Sequence, residues 1–157
     1  MTKEYLSNIF KTYTKDDARE ESYYKHLADF ITAYSASERS LPAGKAGKKI
    51  DVTILPKKTE AGNPDFRIWD GRQKIIGYIE AKDLGVDLDR IEDSEQLERY
   101  LSTFPNVILT NFTEFRLYRN GEKVDKVSVA RPFVIKNYQR FRRLKTKTNC
   151  LNCSKDF

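Results

Sequence analysis

The sequence predicts an α/β domain in which a mixed central β-sheet is flanked by helices. Three observations carry this expectation. Tyr23, Tyr24, Leu27, Phe30, Ile31 and Tyr34 recur at spacings of three and four, which gives a helix one apolar face. Between residues 50 and 79 the pattern changes to short β-branched and aromatic runs bounded by Gly, Pro and Asp. A second helical pattern at 94–104 then precedes two further β-rich runs. The resulting order, α-β-β-β-α-β-β, suits an α/β sandwich with a mixed sheet.

Taken in order, a short helix is expected over residues 3–12. The main N-terminal helix should begin near Asp16-Asp17 and close at Tyr34, with Asp16, Asp17, Glu20 and Glu21 in its first turns, where the helix dipole favours acids. His26 on that helix is expected to cap or pack. Residues 40–49 form a Pro/Gly/Lys loop. Its Gly47-Lys48 is not a phosphate-binding loop, because Pro42 stands where a Gly is required and Lys49 where a Ser or Thr is required. Strands follow at 50–55, 66–69 and 75–79, with Asp70-Gly71 between the last two in the position of a hairpin turn. A polar stretch at 83–93 leads into the helix at 94–104. Strands at 107–110 and 115–118 come next, and Asn120-Gly121 makes a tight turn into 123–129. Pro132 opens a basic, aromatic segment that reads as helical to about Leu144. One domain is expected over 1–145, its core at about 17–130, with a flexible tail at 146–157.

The 157 residues carry 29 Lys and Arg against 23 Asp and Glu, a net charge of +6. The distribution is uneven. From Arg131 onward there are eight basic residues and one acid, so the preceding body, with 21 against 22, is close to neutral. The basic excess, a hint of nucleic acid or an anionic surface, therefore belongs to the tail. No apolar run approaches the roughly 18 residues of a membrane span, and no signal peptide opens the chain, so a cytoplasmic location with no membrane partner is expected. Cys150 and Cys153 form one CxxC with no second pair, which is half a zinc site at best; two accessible thiols are expected.

The residues that carry chemistry sit at strand ends. Asn63-Pro64-Asp65-Phe66 opens one strand, and Glu80-Ala81-Lys82 closes the next. Alternation along a strand puts Glu80 and Lys82 on one side and Ala81 on the other. Asp65 joins them only if the hairpin is centred on Arg72-Gln73. A two-residue turn at Asp70-Gly71 would slip Asp65 about 13 Å from Glu80. Two converging carboxylates suit a hard divalent cation such as Mg²⁺, which polarises a phosphoryl group and acidifies a bound water. Lys82 would orient or deprotonate that water, or stabilise charge in the transition state. An ordinary surface ion pair is the alternative for Glu80 and Lys82 alone. Gln96 and Tyr100, four apart, share a helix face. Asp93 and Gln96 also read as a capping box, and Tyr100 as part of an apolar stripe with Leu97, Leu101 and Phe104.

Pro64-Asp65 followed by Glu80-Ala81-Lys82 resembles the signature of the PD-(D/E)xK nuclease superfamily, the restriction-endonuclease-like fold. Gln96-Leu97-Glu98-Arg99-Tyr100 resembles the QxxxY motif of several of its branches, and residues 21–27 look like its first-helix segment. The stretches 62–66, 77–83, 109–112 and 115–118 are similar to the amino-terminal nuclease domain of single-chain restriction–modification enzymes, and the likeness spans about residues 17–120. It implies Glu21, Asp65 and Glu80 as metal ligands with the Ala81 carbonyl, Lys82 as the catalytic lysine, and Gln96 and Tyr100 as active-site support. Glu20 is an alternative to Glu21. The implied activity is Mg²⁺-dependent cleavage of double-stranded DNA, with Mn²⁺ as a substitute. Such enzymes continue into a methyltransferase, a specificity region or a translocase, so modules of that kind are the expected partners.

The segment from Glu80 to Glu98 holds eight acids and two bases, which suits a metal-dependent site more than a passive DNA clamp. DNA backbone contacts are expected from Lys45, Lys48 and Lys49 in the loop and from Arg140, Arg142 and Arg143 in the tail. A non-cleaving DNA-binding or assembly module that keeps the fold, and a nuclease inactive until linked to other modules, are the competing readings.

Overall fold

The computed structural model describes residues 1–37 and 50–130. Three helices, α1 (Thr2–Tyr13), α2 (Tyr24–Ala36) and α3 (Glu95–Thr103), accompany six strands. The strands are β1 (Asp51–Ile54), β2 (Phe66–Trp69), β3 (Ile75–Ala81), β4 (Asn106–Thr110), β5 (Glu114–Arg119) and β6 (Glu122–Ser128). They form one sheet in sequence order. Every neighbouring pair is antiparallel except β3 and β4, which run parallel and are joined through α3. A parallel pair needs such a long crossover, and the crossover carries α3 onto one face of the sheet.

Two apolar layers result. On one face Tyr5, Ile9, Tyr23, Tyr24 and Leu27 of the N-terminal helical layer pack against Phe66, Ile68, Ile79, Ala81 and Phe112. On the other, Leu97 and Tyr100 of α3 and Phe104 just after it pack against Val107, Leu109 and Tyr118. Ile9, Leu27, Leu97 and Leu109 are essentially solvent-free, and each such side chain contributes about 1.5–3 kcal/mol by leaving water. Ile79 and Ala81 belong to the first layer, so Glu80 between them faces the α3 side.

The structure departs from the sequence expectations in three places. The helix expected from Asp16-Asp17 starts later: Asp16 takes a left-handed backbone (φ 71°), and a 3-10 turn at Glu20–Tyr23 leads into α2. A short polar residue tolerates that conformation, and it ends the helical path before Glu20. The polar stretch at 83–93 is not featureless, since Leu88–Arg90 forms a 3-10 turn that buries Leu88. The strand after Asn120-Gly121 completes the sheet as a sixth member, with every residue exposed; its Lys, Glu and Asp side chains suit an edge. His26 packs as expected, its Nε2 2.9 Å from Thr12 Oγ1, and burial lowers its pKa. The basic segment from 132 to 144, the loop at 40–49 and the tail at 146–157, with Cys150 and Cys153, lie outside the described residues.

Arg116 on β5 ties the 83–93 segment to the sheet. Its side chain is 2% exposed and lies 2.7 Å from Asp89, 3.0 Å from Glu92 and 2.6 Å from Glu114. Tyr118 donates to Glu92, and Lys123 and Lys126 reach Glu92 and Glu114. Three cations thus meet three carboxylates. Burial alone would raise the Glu92 pKa, but the donors Tyr118, Lys123 and Arg116 outweigh it and hold the group at about 2.

Removing one partner from a buried ion pair leaves the others uncompensated, so Arg116→Leu is expected to cost about 3 kcal/mol in urea denaturation. Because the folded Glu92 pKa lies below its ordinary 4.5, its contribution is full above that value and is lost as pH falls toward about 2. Glu92→Gln should therefore narrow the stability gap between pH 6 and pH 2 measured by denaturant melts.

Candidate active site

The β2–β3 pairing sets Phe66 opposite Ile79, Arg67 opposite Tyr78 and Ile68 opposite Gly77. Continued one step, this register brings Asp65 level with Glu80. It is the longer-loop register, and two local features produce it. Asp70 closes the connection by donating its N–H to the Lys74 carbonyl (2.9 Å), while its carboxylate accepts from the N–H groups of Arg72 and Lys74. A bulge at Ile68/Trp69 then absorbs the odd residue. The Asp70-Gly71 pair takes part in this wider turn and does not make a two-residue one.

Asp65 stands just before the first ladder residue of β2. Its Oδ2 accepts the Ala81 N–H at 2.8 Å, and its Oδ1 lies 2.6 Å from the Tyr24 hydroxyl. The same hydroxyl lies 2.7 Å from Glu20 Oε1. Glu80 is 3% exposed, and Lys82 Nζ donates to its Oε1 at 2.6 Å. Its other oxygen, Oε2, is buried without a hydrogen-bond partner. Burial, and next the nearby Asp65 charge, push the Glu80 carboxyl up to about 7 against the pull of Lys82. Burial works to lower the Lys82 pKa, yet the bond to Glu80 and the charges of Glu80, Glu20 and Asp65 raise it. Lys82 is therefore an ammonium at neutral pH, suited to orienting groups and stabilising negative charge. Burial also raises the Glu20 pKa, despite its bond to Tyr24.

The first-helix carboxylate that reaches this cluster is Glu20, with Asp65, Lys82 and Asp83 as its charged neighbours. Glu21 is exposed, and no contact ties it to the cluster. The late helix start explains the exchange. With α2 beginning at Tyr24 and a 3-10 turn before it, Glu20 sits over the Tyr24 hydroxyl while Glu21 turns to solvent.

From the other layer, Gln96 Nε2 lies 3.2 Å from the Tyr100 hydroxyl. Tyr100 is also core, 1% exposed against Phe104 at a ring distance of 5.5 Å. Burial raises the Tyr100 pKa, and the charges of Glu80 and Asp65 raise it further against the bond from Gln96. The capping-box alternative for Gln96 does not hold. Ser94 caps α3, accepting from the Leu97 N–H, and leaves Gln96 free for Tyr100. Gly62, at φ 130°, passes the Tyr100 ring where an added Cβ would stand 3.4 Å away, a backbone state open chiefly to glycine.

The acidic segment from Glu80 to Glu98 divides between two tasks. Glu80 belongs to this cluster, whereas Asp89 and Glu92 are engaged by Arg116. Among the described residues no group of three or more His, Cys, Asp or Glu side chains is arranged to hold a metal ion. Lys45, Lys48, Lys49, Arg140, Arg142 and Arg143 lie outside the described residues. Sequence reasoning assigned Tyr24 to an apolar face and missed its hydroxyl; the Glu20/Tyr24 spacing of four was the available signal.

The chain matches no family model and no curated protein sequence. Its fold is similar to part of DrdV, seen by cryo-electron microscopy in a complex with DNA, with a TM-score of 0.63 and 20% identity. The match covers 87% of this chain and 13% of the DrdV chain.

A carboxyl whose folded pKa is raised loses stability as it ionises. Wild-type stability should fall relative to Glu80→Gln as pH rises from 4.5 to about 7. Chemical denaturation of both proteins at pH 5 and pH 8 measures this; an equal gap at both pH values would contradict the assignment.

Proposed function

We propose that the chain is a restriction-endonuclease-like domain of the PD-(D/E)xK kind that hydrolyses phosphodiester bonds of double-stranded DNA with Mg²⁺, for which Mn²⁺ can substitute. The observation that carries this reading is the convergence of Asp65, Glu80 and Lys82 at the carboxyl end of β3, a parallel strand. Ligand sites in α/β sheets favour that end. The fold's likeness to part of a protein bound to DNA supports DNA as the polymer.

The donor atoms are of the kind a hard cation takes, although Asp65, Glu80 and Glu20 would have to turn toward one point to share it. The donors are carboxylate oxygens, one of them the buried and unpartnered Oε2 of Glu80, and a cation there would relieve both its desolvation and its repulsion from Asp65. Asp65, Glu80 and Glu20 would hold Mg²⁺ with the Ala81 carbonyl. A bound Mg²⁺ supplies Lewis-acid polarisation of a phosphoryl oxygen and a more acidic water. Lys82, kept charged by its acidic neighbours, orients the attacking water and stabilises charge growing on the phosphate oxygens. Gln96 fixes the Tyr100 hydroxyl on the α3 side of the cluster. Methyltransferase, specificity or translocase modules are the partners this reading expects.

One observation favours a second reading, a nuclease inactive until linked to such modules. The acidic groups are already engaged internally, Glu80 by Lys82 and either Asp65 or Glu20 by the Tyr24 hydroxyl. This form would bind a divalent ion without turnover.

Purified protein incubated with supercoiled plasmid and Mg²⁺ or Mn²⁺ tests the first reading. Nicking should appear with metal, vanish with chelator, and drop by at least about 100-fold in Asp65→Ala and Lys82→Ala. Equal nicking by wild type and variants would sink it.

A further inference from the structure

Tyr24 carries a hydroxyl that packing alone does not require. Its ring is 3% exposed and lies 4.8 Å from Phe66 and 6.4 Å from Phe112, a setting that phenylalanine would fill equally well. The hydroxyl instead stands between two carboxylates, 2.7 Å from Glu20 and 2.6 Å from Asp65. Distances this short mark charge-assisted bonds. With one proton to give, the hydroxyl donates to one carboxylate at a time and so couples a residue before α2 to one before β2. Asp65 is gripped at its two ends, Oδ1 by Tyr24 and Oδ2 by the Ala81 N–H. A carboxylate held at both oxygens cannot pivot about its Cβ–Cγ bond; held at one, it can.

We propose that the Tyr24 hydroxyl is a positioning group that, by donating to Asp65, fixes that carboxylate in the orientation that receives a divalent cation. This rests on the metal-dependent reading above. Tyr24 acts through the carboxylates it bonds and is not a catalytic residue. Groups that orient ligands from behind typically change metal affinity by about 10–100-fold.

Tyr24→Phe keeps the ring and removes only the hydroxyl. Tyr5→Phe is the matched control, since Tyr5 donates a buried hydroxyl to the Phe112 carbonyl (2.8 Å) in the same core without touching a carboxylate. Calorimetric titration of the full chain with Mn²⁺ should show Tyr24→Phe binding about 10–100-fold more weakly and Tyr5→Phe binding like wild type. Nicking by Tyr24→Phe should need correspondingly more metal, with the rate at saturating metal largely retained. Equal affinity in wild type and Tyr24→Phe overturns the inference and leaves the metal-dependent reading standing. Equal weakening in both variants, or a Tyr24→Phe protein that is unfolded at the assay temperature, also overturns it by making the hydroxyl merely structural. No Mn²⁺ binding by wild type removes the metal-dependent reading, and this inference falls with it.

Discussion

The pairing of β2 with β3 decides whether Asp65 stands level with Glu80 or about 13 Å away along the strand, and the difference lies in one turn. Asp70 accepts two backbone N–H groups and holds a wide connection, and the bulge after Ile68 takes up the extra residue. A tighter turn would leave each strand intact and dissolve the site. The α3 crossover depends on the same strand: β3 pairs in parallel with β4 and carries Glu80 and Lys82 to the end where the two layers meet.

Such an end is costly to build. A nearly buried carboxylate with one unpartnered oxygen, close to a second carboxylate, opposes folding. The two apolar layers supply the opposing stability, and the Arg116 cluster fixes the connecting segment that leads into α3. That cluster matches three cations with three acids and leaves no excess charge to perturb the site. The strain thus collects where chemistry is proposed, as expected when stability is traded for function.

Much of this was legible in the sequence. Periodicity located α2 and α3, and β-rich runs located the strands, because an amphipathic helix and a half-buried strand each bury apolar residues at their own spacing. The Asp65, Glu80 and Lys82 set was readable down to a choice between two registers. The choice itself was not, since it turns on how Asp70 spends its carboxylate. Spacing favours Glu21, yet Glu20 is the one that reaches the cluster: a left-handed Asp16 and a 3-10 entry rotate the helix start in a way that composition does not encode. The burial of Arg116 is not readable from its strand, since it follows from acids more than twenty positions upstream that only the fold brings near. The double role of Tyr24, ring in the core and hydroxyl in the site, was hidden because an aromatic at helical spacing reads as packing.

A crystal of this protein soaked in Mn²⁺ tests the central claim most directly, through the anomalous signal of the ion. One peak is expected, coordinated by carboxylate oxygens of Asp65 and Glu80, with Glu20 close by and Lys82 displaced from Glu80 Oε1 toward solvent or phosphate. A fully loaded crystal with no peak between Asp65 and Glu80, and with Lys82 still bonded to Glu80, would contradict it.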